Sequence, residues 1–311
     1  MKLLLFFSVL FPFLLISQEV ELIQYSKDPI HSRALTIYNK QLYIGTNNGQ
    51  LFVYPLNDSS IAKPYFLNRL FPEIRDIHCD KNGITLMQTG DFASLIKIDS
   101  KGVLKQEPYY TSSDSNKTLF LDGMDFENNL GFLMGDPFDG FFSLFYSEDN
   151  GLSWKSCLTK IPAIDGEAAF AASGTTVKIS NGDFIFVSGG KQARFFRSSD
   201  KGISWTISPL PFPSSESSGP YSLAMIDGKN GIVVGGDYTQ PNEKQNTSFY
   251  TKNGGKTWKK PKQEANGYRS CVYYYRGIIY CCGTNGIDYS KDNGKTWNKL
   301  STNNCFAIVA H

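Results

Sequence analysis

A chain of 311 residues in which 31 Lys and Arg face 29 Asp and Glu carries a formal charge of +2, so charge points to neither nucleic acid nor an anionic membrane. Its length can bury a large core as one domain. The 17 Tyr and 23 Phe make much of that core aromatic, and the near absence of helical apolar spacing predicts an all-β protein.

Met1 and Lys2 precede an apolar run from Leu3 to Ile16 and then Ser17-Gln18. The run is short for a bilayer span and has the basic, apolar and small-residue order of a secretory signal peptide. Residues 1–17 are therefore expected to be removed, leaving 18–311 as a single domain, exported to a periplasmic or extracellular space without stable membrane insertion. A buried first strand or an uncleaved anchor is the alternative. Cleavage takes Lys2 away and lowers the charge to +1.

Short apolar runs such as Ala34–Tyr38, Gln41–Ile44 and Gly277–Tyr280 recur between turn residues. Candidate first strands begin near Arg33, Arg75, Leu121, Glu167, Tyr221, Arg269 and Cys305, at intervals of 42, 46, 46, 54, 48 and 36 residues. Those are the sizes of four-stranded propeller blades. A glycine-rich step closes the second strand of six of these units, as in Ile44-Gly45-Thr46-Asn47 and Cys282-Gly283-Thr284-Asn285. A seventh unit begins at Cys305–Val309, and Val20–Gln24 reads as a lone outer strand ahead of the first. Because shared terminal strands close a ring and hide its edges, seven blades with the last incomplete are predicted; six blades with a closing strand is the alternative.

Four turns end in the chain's only tryptophans. They run Ser147 to Trp154, Ser198 to Trp205, Thr251 to Trp258 and Ser290 to Trp297, in the pattern Ser/Thr-x-Asp-x-Gly-x-x-Trp. Asp149, Asp200 and Asp292 are placed to accept backbone N–H bonds across the turn, with Asn253 the one departure, and the glycine supplies positive φ. The indole is expected to bury beneath its turn. The pattern resembles the BNR or Asp-box repeat of sialidase-like propellers, which implies a structural role. Strand order puts these turns on the face opposite the strand starts.

On the strand-start face the sequence gathers Arg33, Arg75 with Asp76, Glu167 and Arg269, and Asp136, Arg194 and Asp237 with Tyr238 near second-strand ends. Ionisable groups of both signs around one axis predict a polar binding site at the channel mouth, against the alternative of salt bridges between blades. Glu167 and Asp237 are the carboxylate couple a glycosidase chemistry would use. The six cysteines include no Cys-x-x-Cys, so no metal site is expected; at least four read as buried hydrophobes, and Cys271 with Cys281 or Cys282 is the candidate bridge. The three histidines are scattered and read as surface residues.

Leu121-Asp122-Gly123-Met124-Asp125-Phe126, Gly135-Asp136-Pro137, the block Gly166 to Thr175, Gly235-Gly236-Asp237-Tyr238 and Gly267-Tyr268-Arg269-Ser270 resemble exported propellers related to the plant photosystem II stability/assembly factor. Such proteins are often labelled oxidoreductases or BNR-repeat glycosyl hydrolases, and the resemblance implies a binding or assembly scaffold. Ser32-Arg33-Ala34-Leu35 stands where a sialidase would carry Phe/Tyr-Arg-Ile-Pro. No Gly-x-Gly-x-x-Gly follows a strand, so no redox cofactor is expected. The expectation is a monomeric binding protein for a protein or carbohydrate ligand, with a sialidase-like glycoside hydrolase as the alternative.

Overall fold

The computed structural model describes residues 30–56, 63–65, 73–89, 93–101, 104–108 and 119–311, so the predicted leader and the Val20–Gln24 strand lie outside the described residues. The described residues contain no helix and form six antiparallel sheets.

Sheet one holds β1 (Ser32–Tyr38), β2 (Gln41–Thr46), β3 (Leu51–Pro55) and β4 (Lys63–Tyr65), and sheet two β5 (Ile74–Asp80), β6 (Gly83–Gln88), β7 (Ser94–Asp99) and β8 (Leu104–Pro108). Sheet three follows with β9 (Leu121–Glu127), β10 (Leu130–Phe138), β11 (Phe141–Ser147) and β12 (Lys155–Ser156). In sheet four the first strand is broken into β13 (Glu167–Ala168) and β14 (Val177–Ser180), both paired to β15 (Asp183–Gly190), which leads to β16 (Arg194–Ser198) and β17 (Thr206–Pro209). Sheet five has β18 (Ser218–Met225), β19 (Gly231–Asp237) and β20 (Ser248–Thr251), and sheet six β21 (Cys271–Tyr275), β22 (Ile278–Gly283), β23 (Gly286–Ser290) and β24 (Asn298–Ser301).

The hairpins follow from their turn residues. Asn39-Lys40, Asp139-Gly140, Asn181-Gly182 and Arg276-Gly277 take positive φ at both positions, the turn whose twist matches the paired strands. Successive residues of β15 point to opposite faces, and both faces are buried. Phe184 and Phe186 pack with Phe132 and Met134 of sheet three, whereas Ile185 and Val187 pack with Leu223 and Val233 of sheet five. A sheet covered on both faces by its sequence neighbours is a blade in a ring, and the chain is a β-propeller.

The Trp turns hold neighbouring blades together. In the first, the Ser147 hydroxyl donates to Asp149 at 2.8 Å while the Ser153 amide and hydroxyl donate to the same carboxylate at 2.9 and 2.6 Å. Asp200 repeats these bonds, and they pull its carboxyl down to about 2. Trp205 lies against Phe132 of the preceding sheet and Trp258 against Phe195 of the preceding sheet. The motif glycines explain the spacing: a Cβ on Gly202 would strike Cys157, and one on Gly255 would strike Phe195. Of the four tryptophans only Trp297 is fully buried; Trp154, Trp205 and Trp258 are half-buried, short of the burial expected for all four.

The predicted seventh unit does not form a strand. Cys305–Val309 runs unpaired along sheet six, with the Cys305 amide donating to the Gly283 carbonyl at 3.1 Å and the Ser270 hydroxyl to the Phe306 carbonyl at 2.7 Å. All six cysteines are free thiols, and all but Cys305 are buried.

Candidate functional site

One irregularity repeats at the start of the innermost strand. The pairing of β1 with β2 skips Arg33, that of β5 with β6 skips Arg75, that of β9 with β10 skips Asp122, and that of β18 with β19 skips Tyr221. The extra residue of a β-bulge is released from the ladder and its side chain re-aimed. All four of these side chains line a single cavity of about 400 Å³ at the strand-start end of the ring. The Trp turns sit at the other end, since Gly131 at the beginning of β10 pairs with Ser147 while Gly135 near its end pairs with Leu121.

The fourth sheet replaces the bulge with a loop, residues 169–176, which lies on the ring axis. The Ala169 amide donates to Asp136 Oδ1 of sheet three at 2.9 Å, and the Ala171 carbonyl accepts from Arg75 Nη1 of sheet two at 2.8 Å. Ser173 Oγ donates to the Ser270 carbonyl ahead of sheet six at 2.8 Å, and the Thr175 carbonyl accepts from the Leu223 amide of sheet five at 2.9 Å. Gly174 has φ +72 and sits so close to the Asp76 carboxylate that a Cβ would fall 2.4 Å from its Cγ. A loop bonded to four other sheets plugs the channel, so the cavity is a cup with Ala169–Ala172 as its floor rather than the mouth of an open pore.

The walls are aromatic. Phe170 stacks on Tyr221 with ring centroids 4.2 Å apart, Tyr268 meets Tyr221 edge-on, and Tyr238 projects from the rim with 56% of its surface exposed. Phe120 lies under the Arg75 guanidinium and Phe306 under that of Arg33, 5.5 and 5.1 Å from ring centroid to Cζ. Both arginines share one carboxylate, Glu73, at 2.8 Å from Arg75 and 3.9 Å from Arg33. Asp122 is wholly buried, and neither of its oxygens has a hydrogen-bond partner. Burial, then the neighbouring Asp136, pushes its carboxyl well above the ordinary range, although the Arg75 charge opposes this. Two guanidiniums that share one carboxylate carry more donors than Glu73 can engage.

Arg33, Arg75 and Tyr238 are thus brought together as the sequence predicts, and the remaining predicted residues are not in the cup. Glu167 is locked: Arg194 Nε and Nη2 grip its two oxygens at 2.7 and 2.5 Å, Ser188 Oγ donates to one of them, and the Ile164 amide donates to the other at 2.8 Å. Arg269 is 0% exposed, bonded to Asp288, to the Tyr268 carbonyl at 2.7 Å and to Asn285 Oδ1 at 2.6 Å. These two arginines are internal salt bridges of sheets four and six because their own blades supply the carboxylates. Asp76 accepts the Ile77 and Met124 amides, both at 2.8 Å, and is pushed to about 8 by burial. Asp136 supports the floor and is pushed to about 6 by burial. Asp237 accepts the Thr239 amide and hydroxyl in an exposed turn. Phe120, Asp122, Phe170, Tyr221, Tyr268 and Phe306 complete the cup, and sequence reasoning passed over them. Tyr221 and Leu121-Asp122 stand at strand starts equivalent to Arg33 and Arg75, and that equivalence was the available signal. Among the described residues no three His, Cys, Asp or Glu side chains converge as metal ligands.

The family profile for Sortilin, neurotensin receptor 3, matches residues 142–282, and the BNR/Asp-box repeat profile matches residues 288–299, the last Trp turn. The chain is a propeller whose last Trp turn matches the BNR/Asp-box repeat. No curated protein matches it in sequence. Its fold is similar to that of a catalytically inactive virginiamycin B lyase from Staphylococcus aureus with quinupristin, at 13% identity and TM-score 0.60 over 91% of this chain and 87% of that one. It is also similar to YCF48 from Cyanidioschyzon merolae, at 12% identity and TM-score 0.56 over 87% and 85% of the two chains, and to the Neurospora crassa Pan2 WD40 domain, at 12% identity and TM-score 0.56 over 88% and 79%. The chain spans 35% of the Niastella koreensis GH74 enzyme and 64% of a YCF48 chain bound to D1 peptide.

Proposed function

We propose that this propeller is an exported, non-enzymatic binding module whose cup captures a protein segment or carbohydrate that presents an anionic group beside an apolar or ring face. The observation that carries the reading is the sharing of Glu73 by Arg33 and Arg75 inside an aromatic wall. Arg33, at 3.9 Å from Glu73 and with 32% of its side chain exposed, keeps most of its donors for a ligand. Aromatic rings around it offer stacking area at little entropic cost. A glycosidase would need two available carboxyls, whereas Glu167 is saturated by Arg194, Ser188 and Ile164. The fold-level likeness to YCF48 fits a scaffold role and carries no photosynthetic partner to this chain.

Peptide and glycan arrays probed with the parent protein and with Arg33→Ala test the reading. Binding to acidic members that falls at least about tenfold in Arg33→Ala, at unchanged melting temperature, is expected from loss of a charge-assisted hydrogen bond. Equal binding by both proteins would place the ligand elsewhere. Export is tested separately by sequencing the N-terminus of protein recovered outside the cytoplasm, where a start at Met1 would contradict a cleaved leader.

A further inference from the structure

The tail that supplies Phe306 to the cup carries a thiol pair the binding reading does not use. The Cys305 amide donates to the carbonyl of Gly283, the residue after Cys282, and Ser270 Oγ lies 3.2 Å from the Cys282 carbonyl oxygen and 3.4 Å from that of Cys305. The Ser270 hydroxyl thus lies between the two cysteine backbones, and the Cys305 thiol donates to the Ala307 carbonyl at 3.0 Å beside them. Cys282 is fully buried and Cys305 is half-buried. From this geometry we propose that Cys305 and Cys282 are an attacking and a resolving thiol that close an intrachain disulfide, stapling the C-terminal segment to sheet six.

The other cysteines fit this chemistry less well. Cys281 packs in the core with Trp297 and Val272, on the face of β22 opposite Cys282, so it cannot reach either thiol of the pair. Cys271 stands opposite Cys282 in the strand register, but it is wholly buried and lies 3.7 Å from the Ile308 carbonyl. The bridge expected from sequence, Cys271 with Cys281 or Cys282, therefore lacks an entry point for an oxidant, whereas the half-buried Cys305 provides one.

The electrostatics agree with the order of attack. The neighbouring Cys282 side chain, followed by the Ala307 backbone and the Arg269 charge, lowers the Cys305 thiol against the opposing effect of burial, and burial raises Cys282. A depressed, accessible thiol is the nucleophile in exchange. With a small-molecule disulfide as oxidant, the Cys305 thiolate forms a bond to one of its sulfurs, the S–S bond breaks, and the released thiolate takes up a proton. Cys282 then gives its proton to the second leaving thiolate as its sulfur bonds to Cys305 Sγ. Two protein thiols are oxidised and one disulfide is reduced to two thiols. Phe306, next in the chain, lies beneath Arg33, so the staple fixes one wall of the cup.

Folded protein is incubated with oxidised glutathione, remaining thiols are alkylated after denaturation, and the digest is mapped by mass spectrometry. The expected product keeps four of the six thiols and contains a peptide joining Cys282 to Cys305. Cys282→Ser is expected to accumulate glutathione on Cys305, and Cys305→Ser to form neither adduct nor link. Amide exchange over residues 303–310 is expected to slow by about tenfold on oxidation and to recover with reductant. A Cys271–Cys282 link, a stable glutathione adduct on Cys305 in the parent, or retention of all six thiols would overturn the proposal. Should Cys282→Ser fail to fold, the parent map and Cys305→Ser decide it.

Discussion

Arg75 reaches across the ring axis and donates from Nη1 to the carbonyl of Ala171, 96 residues away in sequence and 2.8 Å away in space. That bond ties the start of the second blade to the loop that plugs the channel, and it makes Arg75 part of the floor as well as of the charged wall. Arg33 meets the edge of Glu73 and the ring of Phe306 among the described residues. The three roles separate by stability. Arg75→Ala leaves the Ala171 carbonyl without this donor and is expected to cost about 1–3 kcal/mol, whereas Arg33→Ala is expected to cost no more than about 1 kcal/mol. Arg269→Ala strands the buried Asp288 carboxylate and is expected to cost about 3–5 kcal/mol. Urea unfolding of the three variants checks the order; an Arg269→Ala protein as stable as the parent would show that its pair with Asp288 is not structural.

Trp297→Ala is expected to be the most damaging of the four tryptophan deletions. This indole is 0% exposed and fills the space between sheets five and six with Ile232, Val234 and Val272. Its loss is expected to cost about 3–5 kcal/mol by cavity formation. The half-buried Trp154, Trp205 and Trp258 are expected to cost less. Thermal unfolding of the four alanine variants ranks them, and a Trp297→Ala protein that melts above the other three contradicts the packing account.

Asn253 keeps the turn of its motif by reversing one bond. Its Oδ1 accepts the Thr251 hydroxyl at 2.9 Å and the Thr257 amide at 3.0 Å, as the aspartates do, but Nδ2 donates to Thr257 Oγ1 where an aspartate would accept. Asn253→Asp is expected to raise stability slightly, by up to about 1 kcal/mol, because two of the bonds become charge-assisted. A clear fall in melting temperature would show that the amide is required.

Asp136 makes stability fall with rising pH. Its carboxyl is pushed by burial from an ordinary 3.8 to about 6 in the fold, so between those values the native state binds a proton that the unfolded chain has lost. The stabilisation this group gives is complete below about 3.8 and is lost as pH rises to about 6, a change of up to about 3 kcal/mol. Asp136→Asn keeps an oxygen for the Ala169 amide and removes the titration. The variant is therefore expected to gain on the parent as pH rises from about 4 to about 6. A difference that stays constant across that window contradicts the assignment.

Local features were legible in the sequence and pairings between side chains were not. The Trp turns and the strand starts at Arg33, Arg75, Leu121 and Tyr221 stand within three residues of the observed elements because each is fixed by its own neighbours. Glu167 reads as the start of a first strand, but only Glu167–Ala168 pairs before the chain leaves the sheet. The small residues Ala169, Ala171, Ala172, Ser173 and Gly174 have little to pack on a pleated surface, and they fit the crowded axis instead. Which arginines face a ligand was hidden for a related reason. Arg269 and Arg33 occupy similar places in their units, and only the position of Asp288, on the third strand of the same blade, removes Arg269 from the site.

The most direct test of the cup as a binding site is a crystal of the parent protein soaked in benzoate, a small ring that bears a single anionic group. The account predicts electron density for the ring among Tyr221, Tyr238 and Phe306, with its carboxylate at hydrogen-bonding distance from Arg33 or Arg75, and no such density in Arg33→Ala crystals soaked alike. Density for benzoate only at other surfaces, or equal occupancy of the cup in the two proteins, would contradict it.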